Sequence, residues 1–270
     1  MTANPKLRVS LVQTDLIWHD PAANLEQLAA QIAPLAKQTD LVVLPEMFTS
    51  GFTVHPETVA SDHSAVQWLL DQSARLGAAI TGSVACKIEP ETVDAEAPEA
   101  PGFVNRLLFV SPDGKVSHYD KVHLFRMGDE HQRYRAGKHK QIVHYRGWRL
   151  QLTICYDLRF PVFCRNQNNY DVMICVANWP KSRRHHWRTL LHARAIENQA
   201  YVVGVNRVGV DGNHLQYSGD SMLIDPLGEA LIDEPGKWVK TATLSHDQLQ
   251  GYRQRFPAWK DADSFYLETI

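Results

Sequence analysis

Apolar residues at the start of the chain alternate between the spacing of a strand and the spacing of a helix. The stretch "LRVSLVQT" (7–14) predicts a first strand, and "DLVVLPE" (40–46) predicts a second strand with a continuously apolar centre. Between them, apolar residues recur at helical spacing from Leu25 to Leu35. This order is a βαβ unit, whose two strands run parallel because the helix crosses back over the sheet.

The same alternation continues along the chain, and two Gly-containing turns add hairpins. Further elements are predicted as a helix at 66–76, strands at 79–85, 148–155, 171–177 and 201–207, and a helix at 185–199. The Pro-Asp-Gly turn within 105–121 and the "DPLGE" turn at 225–229 predict the hairpins. Residues 88–102 are acidic, Pro-rich and without periodicity, which predicts an exposed loop. The pattern alone favours one α/β domain over 1–270, with a doubly wound sheet as the first expectation.

Composition narrows the class of protein. A chain of 270 residues with 44% hydrophobic content has ample material for a buried core. A formal charge of −2 and a pI near 6.7 leave no basic excess for a nucleic-acid partner. No run approaches the length of a membrane span, and the N-terminus lacks the apolar core of a secretory signal. We therefore expect a cytoplasmic protein that binds neither nucleic acid nor a membrane.

The four cysteines are too few and too scattered for a disulfide framework, so reduced thiols are expected. Cys86 and Cys175 lie inside strand-like runs, and Cys164 follows a turn; all three are interpreted as structural. Cys155 differs from them. It ends the apolar run of "QLTICYDLRFP" (151–161), and the residues after it cannot continue a strand, so the chain is expected to turn there.

Three reactive side chains follow predicted strands. Glu46, Lys121 and Cys155 each stand at the carboxyl end of a strand-like run, and such ends converge on one edge of an α/β sheet. Taken singly, a cysteine in a strand is usually inert, an exposed lysine is usually solvated, and a glutamate usually lies on the surface. Together they supply a thiol, a proton acceptor and a nearby cation, which is what an activated thiolate requires.

The surroundings of these residues resemble a known family. The stretches "LPEMFTSGF" (44–52), "YDKVHLF" (119–125) and "ICYDLRFP" (154–161) are similar to the three motif blocks of the nitrilase superfamily, the carbon–nitrogen hydrolases. Further similar blocks are found at 126–137, 176–180, 193–212, 217–221 and 256–263, and they most resemble the small bacterial omega-amidases. The resemblance implies a four-layer αββα sandwich and a homodimer paired through its outer helices.

The resemblance also implies a mechanism without metal or organic cofactor. Cys155 attacks an amide carbonyl to form a thioester, Glu46 is the general base and acid, and Lys121 holds the oxyanion together with the backbone N–H of Tyr156. Glu130 matches a second glutamate of the family and would position Lys121 or the substrate, with Asp129 as the adjacent rival. The implied substrate is a short dicarboxylate mono-amide such as 2-oxoglutaramate, cleaved to the acid and ammonia.

Residues beside the motifs are candidates for binding the substrate. They are Phe48, Phe125, Asn178 and Trp179, although core packing explains the two phenylalanines equally well. The carboxylate of the substrate calls for an arginine, whose planar fork pairs both oxygens. Four arginines in or beside the motif blocks remain open for this role: Arg126, Arg183, Arg184 and Arg207.

Other readings stay open at this point. One predicted helix carries three histidines, His185, His186 and His192, which suggests the hypothesis of a metal hydrolase. The i, i+4 spacing of a zinc-binding helix is absent, however. A thiol protease would pair Cys155 with a histidine such as His123 or His131. An amidase or carbamoylase of the same family with another substrate range, and a non-catalytic member that binds a small molecule, are the remaining alternatives.

Overall fold

The structure is a computed structural model that describes residues 6–60, 63–88 and 102–267. The segment 88–102, expected to be an exposed loop, lies outside these ranges except for its two ends. Those ends are hydrogen-bonded, because Ile88 N donates to Gly102 O at 2.8 Å. In the described part of the chain, no helix is both long and apolar enough to cross a bilayer.

Strands make up most of the regular structure. They are β1 (Lys6–Gln13), β2 (Leu41–Val43), β3 (Ala79–Lys87), β4 (Phe103–Val110), β5 (Val116–Asp120), β6 (Gln141–Tyr145), β7 (Trp148–Ile154), β8 (Val172–Ala177), β9 (Tyr201–Asn206), β10 (Val208–Val210), β11 (Gln216–Ser218), β12 (Met222–Ile224), β13 (Ala230–Asp233) and β14 (Trp238–Ser245). The helices are α1 (Pro21–Ile32), α2 (Ser64–Leu76), α3 (Glu130–Arg133), α4 (Pro161–Cys164), α5 (Arg184–Asn198) and α6 (His246–Arg255). The strands and helices expected from the pattern are present at these positions, within a few residues at their ends.

The strands form two six-stranded sheets. The first has the order β14-β1-β2-β3-β4-β5 and the second the order β13-β12-β9-β8-β7-β6. The central strands β1, β2 and β3 run parallel, as do β7, β8 and β9, whereas the outer strands of both sheets pair antiparallel. A small hairpin of β10 and β11 lies apart from both sheets. The doubly wound single sheet favoured by the pattern alone is therefore wrong.

The two sheets pack against each other, and helices cover their outer faces. Leu11 of β1 belongs to the same buried cluster as Leu152 of β7, whereas its neighbour Val12 joins a second cluster with Ile32 of α1 and Leu69 of α2. This split follows the two-residue period of a strand, which sends successive side chains to opposite faces. Helix α5 packs on β9 and β12 of the second sheet. The fold is therefore a four-layer αββα sandwich, as the resemblance implies.

A glycine fixes the chain beside the end of β5. Gly137 N donates to Lys121 O at 2.8 Å. A Cβ at Gly137 would overlap the carbonyl oxygen of Asp120, which belongs to the rigid backbone and cannot move aside. Only a residue without a side chain therefore lets this segment lie against the backbone of Lys121.

Candidate active site

Three strand ends, from two different sheets, bring together the residues that the motifs single out. Glu46 lies shortly after β2, and Lys121 directly follows β5, both in the first sheet. Cys155 directly follows β7 of the second sheet. Glu46 and Lys121 therefore meet Cys155 only because the two sheets pack face to face.

Lys121 lies between two buried carboxylates. Its Nζ donates to Glu46 Oε1 at 3.0 Å and to Glu130 Oε1 and Oε2 at 3.0 and 2.9 Å. All three side chains are essentially without solvent exposure. Asn105 of β4, which sequence reasoning missed, joins the two carboxylates: its Nδ2 donates to Glu46 Oε1 at 2.9 Å and to Glu130 Oε1 at 3.2 Å.

A backbone N–H also donates to one oxygen of each carboxylate. Asn178 N donates to Glu46 Oε2 at 2.8 Å, and Phe125 N donates to Glu130 Oε2 at 2.6 Å. The Asn178 side chain also donates to the backbone oxygen of Glu46 at 2.6 Å. Asp129, the rival of Glu130, is exposed and bonds Gln132 instead. Glu130 is thus the second glutamate of the site.

Burial and neighbouring charges set the protonation of the site. Burial alone would lower the pKa of Lys121, but the charges of Glu130 and Glu46 outweigh it and raise that pKa well above its usual value. Burial also raises the pKa of Glu130; the charge of Lys121 lowers it in part, and that of Glu46 raises it further. Lys121 therefore stays charged.

The thiol of Cys155 holds its proton in the resting site. Burial raises the pKa of Cys155 well above the usual value, the charge of Glu46 raises it further, and the charge of Lys121 opposes them. A thiol is a weak nucleophile until a base removes its proton. The arrangement therefore suits a reaction in which attack by sulfur and transfer of its proton occur together.

The backbone turns sharply at Cys155, as its sequence predicts. Cys155 has φ of +45° and begins a short 3₁₀ helix, Cys155–Arg159. A positive φ is unfavourable for a residue with a side chain and persists only where surrounding contacts hold it. Such conformations recur at active sites, and here the strained residue is the candidate nucleophile.

A cavity of about 250 Å³ opens beside this turn. Its lining includes Lys121, Cys155 and Tyr156, and also three of the four residues proposed to bind substrate: Phe125, Asn178 and Trp179. The expectation for the fourth, Phe48, is corrected. Phe48 is fully buried outside the cavity lining and packs in the core with Trp68 at a ring distance of 5.8 Å.

Two arginines line the cavity. Arg183 was one of the four candidates, and its guanidinium carbon lies 5.4 Å from the ring centre of Phe125. Arg159 was not a candidate, although it stands four residues after Cys155 in the same motif; its guanidinium carbon lies 4.8 Å from the ring centre of Trp179. Aromatic faces support both cations. The planar fork of Arg183 is available to an anion, whereas one nitrogen of Arg159 already lies 3.1 Å from His186 Nδ1.

The other three candidate arginines lie outside the lining. Arg126 is exposed. Arg184 pairs with Asp220 at 2.6 Å, and Arg207 is fully buried and pairs with Asp15 at 2.7 Å. Of the four candidates, Arg183 is the one that lines the cavity.

Comparison with known proteins agrees with this geometry. A family profile described as carbon-nitrogen hydrolase matches residues 8–254. The chain belongs to the carbon–nitrogen hydrolases, the nitrilase superfamily. It is 48% identical to omega-amidase YafV of Yersinia enterocolitica, covering 97% of this chain and 98% of that protein, and 31% identical to 2-oxoglutaramate amidase of Bacillus subtilis, covering 95% and 97%. The structure of XC1258 from Xanthomonas campestris, a CN-hydrolase superfamily protein, matches with a TM-score of 0.91 at 48% identity, covering 98% of this chain and all of that one.

In this carbon–nitrogen hydrolase, three histidines of the rival interpretations have other contacts. His123 Nδ1 lies 2.8 Å from Asp157 Oδ1, and His192 Nδ1 lies 2.9 Å from the backbone oxygen of Gly228. His186 Nδ1 lies 3.1 Å from Arg159. Within the described ranges, no cluster of three His, Cys, Asp or Glu side chains is arranged to hold a metal ion.

Replacing Lys121 by Met should destabilise this hydrolase strongly at neutral pH, because Glu46 and Glu130 would then face each other without a cation. We expect a loss of about 3–5 kcal/mol in the free energy of unfolding at pH 7. One carboxyl of the variant would have a folded-state pKa above its unfolded value, so it favours the folded state at low pH and loses that effect as pH rises. The difference from the parent should therefore shrink between pH 7 and pH 5, measured by urea unfolding. The exposed Lys115→Met is the control, and equal losses at both pH values would contradict this electrostatic account.

Proposed function

We propose that this chain hydrolyses the terminal amide of short dicarboxylate mono-amides, such as 2-oxoglutaramate, to the acid and ammonia. The proposal rests above all on one cavity, which Cys155, Lys121 and Arg183 line together. Two reactive groups are thus combined with a cation suited to a carboxylate. The proposal is supported by the similarity to proteins named omega-amidase and 2-oxoglutaramate amidase.

Acylation begins when Cys155 Sγ attacks the carbonyl carbon of the amide and its proton passes to Glu46. The negative charge on the former carbonyl oxygen is held by the ammonium of Lys121 and the backbone N–H of Tyr156. One such donor contributes about 3 kcal/mol in other hydrolases. Glu46 then returns the proton to the leaving nitrogen. The C–N bond breaks, ammonia leaves, and the acyl group remains on Cys155 as a thioester. General acid–base catalysis of this kind contributes roughly 10²–10⁴-fold.

Hydrolysis of the thioester repeats these steps with water. Glu46 takes a proton from water as its oxygen attacks the thioester carbon, and the same two donors hold the second oxyanion. The C–S bond then breaks, the acid is released, and the thiolate recovers the proton from Glu46. Besides substrate and water, these steps use the side chains of Cys155, Glu46 and Lys121 and the backbone N–H of Tyr156.

Glu130 is proposed to position Lys121 rather than to transfer protons. Both of its oxygens accept from Lys121 Nζ, and one also accepts from Phe125 N. These contacts fix the ammonium and raise its pKa, so Lys121 remains a charged donor throughout the reaction.

Arg183, with Arg159, is proposed to select substrates that carry a remote carboxylate. The one acidic residue in the described lining, Asp211, already accepts from Tyr217 Oη at 2.8 Å and from two backbone N–H groups. Its charge is therefore satisfied within the protein, and the cations remain for the ligand. Binding by these arginines is what separates this proposal from an amidase or carbamoylase of another substrate range.

We further propose that two copies pair through their outer helices and that the enzyme works in the reducing cytoplasm. Ile196 of α5, Leu227 in the turn before β13, and Leu231 of β13 are 53%, 57% and 45% exposed, and Ile196 lies against Gly228 of the same turn. A contiguous apolar patch of this kind suits an interface with a partner. All four cysteines are described and lie outside any disulfide, which suits a reducing compartment.

Replacing Cys155 by Ala should abolish ammonia release from 2-oxoglutaramate, because no thioester can form. The assay is a screen of ammonia release across short mono-amides, nitriles and N-carbamoyl compounds. Cys86→Ala, which changes a cysteine remote from the cavity lining, should keep the parent's turnover. Residual turnover in Cys155→Ala, or faster release from nitriles or N-carbamoyl compounds than from mono-amides in the parent, would refute the assignment.

Replacing Arg183 by Met should lower kcat/KM for 2-oxoglutaramate about 10–100-fold, because a hydrogen bond to a charged group contributes roughly 1.5–3 kcal/mol. Hydrolysis of a neutral short amide, which never used the contact, should change less than about twofold. The matched control is Arg184→Met, which changes the adjacent arginine outside the cavity and should affect neither substrate. Equal effects of Arg183→Met on both substrates would rule out a carboxylate contact.

Light scattering should give a mass twice the 30.6 kDa of one chain. Ile196→Glu should shift the protein toward the single-chain mass, because it places a charge in the proposed apolar contact. The exposed Lys115→Met should keep the parent's mass. A parent that elutes as a single chain would contradict the dimer.

A further inference from the structure

Asp157, two residues after the candidate nucleophile, is a fully buried carboxylate that receives four hydrogen bonds. Its Oδ2 accepts from Tyr119 Oη at 2.7 Å and from Ile154 N at 2.9 Å. Its Oδ1 accepts from His123 N at 3.0 Å and lies 2.8 Å from His123 Nδ1. We call Asp157, Tyr119, His123 and the N–H of Ile154 the Asp157 cluster.

The cluster joins the two sheets on either side of the reacting groups. Tyr119 and His123 flank Lys121, at the end of β5 in the first sheet. Ile154 and Asp157 flank Cys155, at the end of β7 in the second sheet. One carboxylate therefore holds both the segment that carries the lysine and the turn that carries the cysteine.

Each donor of the cluster is itself held in place. Tyr119 Oη accepts from Val122 N at 3.2 Å, which ties the hydroxyl to the residue after Lys121. Burial and the charge of Asp157 raise the pKa of Tyr119 well above its usual value, so its hydroxyl keeps the proton that it donates. The ring of His123 is stacked on Phe160 at 3.8 Å, which orients Nδ1 toward Asp157.

The turn at Cys155 requires such support. With φ of +45°, Cys155 is in a conformation that costs of order 1–3 kcal/mol and persists only under external constraint. Bonds to charged acceptors are roughly twice as strong as neutral ones, and Asp157 accepts one from the residue directly before the turn. The constraint is thus applied within two residues of the sulfur.

We propose that Asp157 is a positioning residue, which through Tyr119, His123 and Ile154 N sets the place of Cys155 relative to Lys121 across the two sheets. It makes no contact with substrate in this role and acts through the residues that do. The inference rests on the proposed function for the reaction that it serves. Its loss should slow the chemical step for every amide alike, in contrast to the loss of Arg183, which should matter only for substrates with a carboxylate.

The test is Tyr119→Phe, which removes one donor to Asp157 and keeps the ring. We expect kcat to fall at least about tenfold for both 2-oxoglutaramate and a neutral short amide, with KM changed less than about twofold. The matched control is Tyr170→Phe, because Tyr170 is equally buried and its hydroxyl donates to Cys164 O at 2.7 Å, outside the cluster. Tyr170→Phe should lose comparable stability in urea unfolding and keep kcat within about twofold.

A second readout does not depend on amide hydrolysis. The rate at which iodoacetamide alkylates Cys155, followed by mass spectrometry, should fall at least about fivefold in Tyr119→Phe and stay at the parent's value in Tyr170→Phe. If no amide is hydrolysed by the parent, the proposed function fails and this rate alone decides on Asp157. Asp157→Asn should show a larger fall in the same rate, and the Tyr119 variant decides if that protein does not fold. An unchanged or faster alkylation rate in Tyr119→Phe, or a kcat that falls equally in both tyrosine variants, overturns the proposal.

Discussion

The ion pairing of Lys121 with two buried carboxylates is the interaction on which the site depends. Three ionisable groups without solvent are costly unless each is paired and hydrogen-bonded. Here Asn105, Asn178 N and Phe125 N complete the bonding of Glu46 and Glu130. Lys121 therefore stays charged in the protein interior, where a fixed cation acts on a developing oxyanion far more strongly than it would in water.

The fold explains why such a cluster forms at a cavity wall. Strand ends have backbone groups that no longer pair within the sheet, and the residues that follow them are free to supply side chains and N–H groups to one place. Glu46 and Lys121 come from one sheet and Cys155 from the other. The carboxylate of Asp157 bonds residues on both sides of that boundary, so it links the two sheets beside the reacting atoms.

Periodicity in the sequence predicted the elements better than their arrangement, which only the resemblance of the motifs implied. Glu46, Lys121 and Cys155 lie in distinctive motifs at strand ends. Glu130 was preferred to Asp129 because of its position in a fourth motif block, 126–137. The division into two sheets was not predictable from periodicity, because strands buried on both faces show the same apolar runs in either architecture.

Missed elements and residues share a different cause. Strand β14 is largely exposed on one face and α6 carries little apolar surface, so their hydrophobic patterns are weak. Asn105, which is followed by Arg106 in an otherwise apolar strand, gave no local sign that it faces two carboxylates contributed by distant segments. Phe48 was misplaced for a related reason, since an aromatic residue beside a motif looks the same whether it faces a cavity or the core. Such roles are set by tertiary contacts.

The division of the site between two sheets makes the width of the core a functional dimension. Side chains such as Leu11 and Leu152 belong to the layer that separates the sheet carrying Lys121 from the sheet carrying Cys155. A protein interior is packed too densely to absorb an added or deleted methylene without some shift of its surroundings. A change of side-chain volume in this inner layer would change the distance between the two sheets, and with it the distance between Lys121 and the sulfur of Cys155. The same change under the outer helices does not lie between the two sheets. Substitutions in the inner layer are therefore constrained by catalysis as well as by stability, although these side chains lie between the sheets and not at the substrate.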